Sequence, residues 1–196
     1  MRFYQITDKE TLQLLRNLAQ LGVKIEMILE NDIYGGGSKD FKKTQDSLRG
    51  KDVAIRTDEH LGTNYVHAKV MLIDDQRFMI STANLSYPSF WNNREYWFIS
   101  SHTGVAQSLV TIFAKDRTGE AILSGDIDDH LLVCPINCRK TIENALSGAK
   151  ESIAIQAQYI EDEAVVELLE TQSNAIDVRL IVGEYQSKHR LDNLST

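Results

Sequence analysis

The chain reads as an α/β protein, a mixed β-sheet flanked by helices, with one nearly complete repeat followed by the front part of a second. Two observations predict this. A strand–helix–strand plan over residues 4–30 recurs over residues 153–182, and Ile6 and Ile160, Asp8 and Asp162, and Leu14-Leu15 and Leu168-Leu169 are each 154 residues apart. Between the two copies lie two apolar, strand-like runs, residues 66–73 and 78–84, joined by the short turn Asp74-Asp75-Gln76-Arg77.

Each element has its own signal. After a first strand at Tyr4, Thr7 followed by Glu10 reads as a capping box. The helix it opens is apolar at Leu12, Leu15, Leu18 and Ala19 and closes at Gly22, and Val23 to Leu29 reads as the return strand. Residues 34–43, opening Tyr34-Gly35-Gly36-Gly37-Ser38 and carrying Lys39, Lys42 and Lys43, lack the spacing of a phosphate-cradling loop and read as a solvated, mobile surface loop. Asp52 to Arg56 is a short strand. Val105, Leu109, Ile112 and Phe113 mark an amphipathic helix after Thr103. The Gly- and Asp-rich stretch from Asp116 to Asp129 reads as the connection between repeats. The expected organisation is a first repeat over residues 1–117, a connection over 118–130, and the N-terminal part of a second repeat over 131–196. That second part opens with Leu131-Leu132-Val133 and a helix over Ile142, Ala145, Leu146 and Ala149. It continues with a strand over 153–159, a helix over 161–171 with Val165, Val166, Leu168 and Leu169 inward, and a strand over 176–182.

Composition narrows the function classes. At 42% hydrophobic and 25% charged, the 196-residue chain matches an ordinary soluble globular protein. No apolar run approaches the ~18 residues a membrane span requires, and the N-terminus Met1-Arg2-Phe3-Tyr4-Gln5 has no signal-peptide pattern. Residues 1–117 carry 15 Lys/Arg against 14 Asp/Glu, whereas residues 118–196 carry 6 against 14. A general basic footprint for nucleic acid is therefore absent. Cys134 and Cys138, the only cysteines, are too few for a zinc site and read as buried free thiols, which leans toward a reducing, cytoplasmic compartment.

The polar residues whose spacing looks chosen for chemistry are in the central hairpin. His67 and Lys69 are two apart in a run where Val66, Ala68, Val70, Leu72 and Ile73 are apolar, so on a strand both project from one face. A solvated sheet face accounts poorly for that pattern. On the following strand Thr82 and Asn84 again share a face. A histidine, a cation, a hydroxyl and an amide would surround a small site suited to an anion.

His67, Lys69, Asp74, Thr82 and Asn84 together resemble the HKD signature of the phospholipase D superfamily, H-x-K-x-x-x-x-D followed by a Gly/Ser-Ser/Thr-x-Asn tail. The tail here begins Ser81-Thr82, which keeps a hydroxyl but lacks the glycine. Glu95 resembles the family's acidic position after the motif. The resemblance implies a phospholipase D-like phosphodiesterase, acting as hydrolase or phosphatidyltransferase, with His67 as the nucleophile that forms a phosphohistidine. It implies that Lys69, Thr82 and Asn84 bind the phosphate, that Asp74 is the third motif residue, and that Glu95 holds the His67 imidazole. No metal and no cofactor are called for. His60, His102, His130 and His189 fall outside the motif and read as surface or capping histidines.

Family members with two repeats face two motifs across one site. Here residue 196 is reached before a second motif occurs, so the resemblance implies completion by a partner chain giving its own His67, or by a C-terminal segment beyond Thr196. Phospholipid head groups stand ahead of nucleic acid as substrate, given the near-neutral motif half and the aromatics Tyr87, Phe90 and Trp91. A nuclease of the same superfamily and a noncatalytic assembly module are the alternatives.

Overall fold

The computed structural model describes residues 1–30, 38–49, 53–57 and 66–183. The chain divides into two compact units, Met1–Leu131 and Leu132–Thr196.

The first unit is built on a six-stranded sheet. Its chain order is β1 (Arg2–Phe3), α1 (Lys9–Gln20), β2 (Ile25–Leu29), α2 (Ser38–Leu48), β3 (Val53–Thr57), β4 (Val70–Ile73), β5 (Arg77–Ser81), α3 (Tyr87–Trp91), β6 (Trp97–Ser100) and α4 (Thr103–Thr118). The strands lie in the order β3-β2-β1-β4-β5-β6. β1, β2 and β3 are mutually parallel, and β4, β5 and β6 are antiparallel. Connection length explains the division, because parallel neighbours need a crossover such as α1 whereas antiparallel neighbours need only a turn. The seam is the pair β1–β4, where Arg2 is registered with Val70.

α1 forms where its apolar spacing predicts, with Leu12, Leu15 and Ala19 buried on one stripe against Phe3, Ile6, Met27, Leu29 and Leu48. Its start differs from the sequence expectation. Asp8 rather than Thr7 is the cap, and its carboxylate accepts from the Thr11 N–H at 2.8 Å and the Thr11 hydroxyl at 2.9 Å. A carboxylate gains from the positive end of the helix in a way a hydroxyl does not. Gly22, at φ +85, makes the left-handed exit. Lys39, Lys42 and Lys43 correct another expectation, since they stand on helix α2 and not in a loop. Residues 34–37 of that predicted loop, together with His60 and His189, are outside the described residues.

α4 buries Val105, Leu109 and Ile112. Arg2 on β1 pairs with Asp116 on α4, both largely out of water, which ties this helix to the centre of the sheet. Burial holds the Asp116 carboxyl above its ordinary range, against the opposing pull of Arg2. His102 caps α4, its Nδ1 accepting from the Val105 N–H at 3.3 Å. Asp128 lies over the first turn of that helix and takes the His130 ring Nδ1–H at 2.9 Å. A β-carbon on Gly104 would lie 1.9 Å from the Asp128 carboxylate, so any larger residue there would have to displace that side chain. His102 and His130 are thus engaged at a helix terminus, as expected of capping and surface residues.

The second unit contains α5 (Cys138–Ser147), β7 (Ser152–Ala157), α6 (Glu163–Ser173) and β8 (Asp177–Val182), with β7 and β8 parallel and in register over six residue pairs. Its apolar centre is Ile153, Val166 and Leu169. Arg139 on α5 makes a two-pronged contact with Asp162, the cap of α6, at 2.7 and 3.0 Å. Cys134 and Cys138 are joined in a disulfide, which corrects the expectation of free thiols. The turn Val133–Asn137, closed by bonds from the Ile136 and Asn137 N–H groups to the Val133 carbonyl, brings the two sulfurs together.

Candidate active site

The β4–β5 hairpin sets the geometry of the site. Four registered pairs run from Val70–Ile80 to Ile73–Arg77, and one further bond, Ser81 N–H to the Lys69 carbonyl at 2.9 Å, extends the contact past the end of the strands. His67 and Lys69 therefore precede β4 instead of lying within it, and their side chains still converge. Lys69 Nζ is 3.1 Å from each nitrogen of the His67 ring and donates to the His67 carbonyl at 2.6 Å. Lys69 is buried at 6% exposure, whereas His67 as a whole residue is exposed.

That burial sets the protonation of both groups. Loss of water pulls Lys69 down to about 8, with the negative charge of Glu95 opposing the shift. Burial, then the neighbouring Lys69 ammonium, hold His67 below the ordinary histidine value. Near neutral pH the pair is accordingly a neutral imidazole beside a cation, the combination that a nucleophile attacking an anionic phosphorus centre requires. Tyr4, just beyond β1, closes one side, its ring 5.3 Å from the imidazole and 5.7 Å from Lys69 Nζ.

The chain leaves the ladder after Ser81, so Thr82 and Asn84 follow β5 instead of extending it as predicted. Two contacts draw it away. The Ala83 N–H turns back onto the Ser81 hydroxyl at 2.8 Å, and Leu85 bridges to Ile6 while its carbonyl receives the Thr7 and Asp8 N–H groups. Asn84 keeps an unusual feature, a buried Oδ1 with no hydrogen-bond partner among the described residues. An orphaned buried acceptor costs about 1–3 kcal/mol, so it marks a place where an added donor would gain. Thr82 donates to Glu95 at 2.6 Å and accepts from the Tyr96 N–H at 3.0 Å.

Two expectations change here. Glu95 was expected to hold the His67 ring, but its carboxylate accepts from Thr82 and from the Asn93 amide at 3.2 Å, and the ring meets Lys69 and Tyr4. Glu95 reaches the pair through its field on Lys69. Asp74 stands apart from the cluster. It and Asp75 take positive φ values, 52 and 55, in the hairpin turn closed by the Gln76 N–H on the Ile73 carbonyl. Aspartate tolerates this left-handed backbone. Five residues of extended chain put it roughly 16 Å from Lys69, at the far end of the hairpin.

Sequence reading missed Tyr4, which follows the carboxyl end of the parallel strand β1, where open α/β sheets place their ligands, and that position was the available signal.

A comparison with curated protein sequences finds no match. Solved structures with a similar fold include NucT from Helicobacter pylori, at 19% identity and a TM-score of 0.52, over 60% of this chain and 77% of that one. The phospholipase D family member Nuc from Salmonella typhimurium gives 16% identity and a TM-score of 0.53, over 62% and 78%. Polyphosphate kinase from Porphyromonas gingivalis matches 92% of this chain at a TM-score of 0.65 and 17% identity, and the match spans 32% of that longer chain. A family model described as cardiolipin synthase, phospholipase D-like domain, matches residues 1–117, the stretch that holds the hairpin and its motif. The chain belongs to this family, and through it to the phospholipase D superfamily of phosphodiesterases.

Proposed function

We propose that the protein cleaves or transfers a phosphodiester through a covalent phosphohistidine on His67, and that its substrates are phospholipid head groups. The single observation that carries this reading is the His67–Lys69 couple, a neutral imidazole 3.1 Å from a buried ammonium. The imidazole attacks phosphorus and the first alcohol leaves. Water or an acceptor alcohol then displaces the histidine, so one difficult substitution becomes two easier ones. Lys69 and the Asn84 amide stabilise the nonbridging oxygens as charge builds on them. Thr82 carries its hydroxyl to the same region while bound to Glu95. A second histidine protonates the leaving alcohol and later activates the acceptor, and His67 of a second copy is the proposed source.

The lipid reading draws support from α3. Tyr87, Phe90 and Trp91 are 61%, 42% and 70% exposed on a short helix that begins three residues after Asn84. Such aromatics suit an amphiphile whose head group enters the site. The test presents the purified chain, with its mass in solution measured, with phosphatidylglycerol vesicles, a chromogenic phosphodiester, and single-stranded and duplex DNA. Turnover of the lipid that His67→Asn abolishes supports the proposal. Turnover confined to DNA replaces it with the nuclease reading, and undiminished activity in the variant overturns the assignment of the nucleophile.

A further inference from the structure

We infer that Glu30 is a positioning residue for His67, acting through the Val66 peptide, an inference that rests on reading His67 as the nucleophile. Glu30 directly follows β2 and is 1% exposed. Its Oε2 accepts the Val66 N–H at 2.8 Å, and Val66 is itself 2% exposed. On the other side, Lys69 Nζ holds the His67 carbonyl at 2.6 Å. The main chain carrying the nucleophile is thus gripped on both flanks, from β2 and from the start of β4.

This grip matters because His67 is an exposed residue. Its ring stands beside Tyr4 and the Lys69 ammonium. A catalytic group has to be held to within about 0.5 Å of its working position. For an exposed residue that precision has to come largely from the backbone beneath it.

The repeat adds an independent observation. Glu184 stands 154 residues after Glu30, the same offset that relates Asp8 to Asp162, so an acid follows the second strand of both β-α-β units.

The experiment compares Glu30→Gln, which keeps an acceptor of the same length, with Glu30→Leu, which has none, and with Glu30→Asp, one methylene shorter. Steady-state kinetics are expected to give a kcat loss of about 10²-fold for the Leu variant, with KM within about twofold of the parent, and recovery of most of the rate in the Gln variant. NMR of His67 supplies a readout that needs no turnover. Side-chain couplings should report one ring rotamer in the parent and Gln variant and averaging over rotamers in the Leu variant, or in the Asp variant if Leu does not fold. A fixed His67 rotamer and an unchanged kcat without the Glu30 acceptor would overturn the inference. If the parent cleaves no phosphodiester, the functional reading fails, and the rotamer measurement still decides whether Glu30 holds His67.

Discussion

The two β-α-β units use the same local construction and end in different surroundings. In each, an aspartate caps the helix by accepting the N–H three residues on, Asp8 from Thr11 at 2.8 Å and Asp162 from Val165 at 3.1 Å. Each buries the matching pair of the helix stripe, Leu12 and Leu15 in one and Val166 and Leu169 in the other. Each pairs its strands in parallel. The first unit's strands sit inside a six-stranded sheet, and four of the five β2 residues are buried. β7 and β8 form a two-stranded sheet among the described residues, where Ile181 is 67% exposed. The β-α-β unit is therefore a general scaffold. Among the described residues the candidate site stands beside the first copy, where the antiparallel β4–β5–β6 set adjoins Tyr4 at the end of β1.

The largest test of this contrast is His67→Asn, which should lower turnover about 10³-fold or more, whereas Asp162→Ala in the second unit should leave kcat unchanged. Lys69→Met comes next, with an expected loss of about 10²–10³-fold in kcat and little change in melting temperature. Stability should divide evenly where chemistry does not. Leu15→Ala and Leu169→Ala should each cost about 2–5 kcal/mol in denaturant unfolding, because both remove a buried leucine from an equivalent helix face.

The pH profile sharpens the role of the hairpin. Lys69 is a cation below about 8 and loses its proton above it, so kcat/KM should fall as pH rises through about 8. The acid side should be set by His67, neutral above its lowered value. Glu95 is the charge that raises Lys69, with His67 and Tyr4 its other neighbours, so Glu95→Gln should move the alkaline limb to lower pH. An unmoved limb would show that another group titrates there. The smallest effect is at the caps. Asp8→Ala should cost about 1 kcal/mol, and the corresponding change at Asp162 should be more sensitive to salt because Arg139 pairs with that carboxylate.

Much of this was legible in the chain, and for local reasons. The stripe Leu12, Leu15, Ala19 announces α1 because a helix turns every 3.6 residues, and the 154-residue offset exposes the second copy without any knowledge of packing. The motif residues were legible because their spacing is fixed by the covalent chain. Where the reading failed, the outcome depended on partners distant in sequence. Thr82 leaves the strand because Leu85 bridges to Ile6. Glu95 bonds Thr82 instead of His67 because the Asn93–Tyr96 segment returns beside Thr82. The disulfide depended on how the Val133–Asn137 turn closes, which two cysteines four apart do not announce.

By itself the sequence determined the α/β class, the duplicated β-α-β unit and the convergence of His67 with Lys69, all consequences of periodicity and of a two-residue spacing in extended chain. Tertiary structure alone decided that Lys69 is buried while His67 is exposed, and that Asn84 keeps an oxygen with no partner among the described residues. It also decided that Tyr4 stands beside the pair and that Asp74 lies in the turn at the far end of the hairpin. Burial and charge–charge distance are set by residues tens of positions away, and protonation follows from them, so no local pattern encodes the electrostatics of the pair.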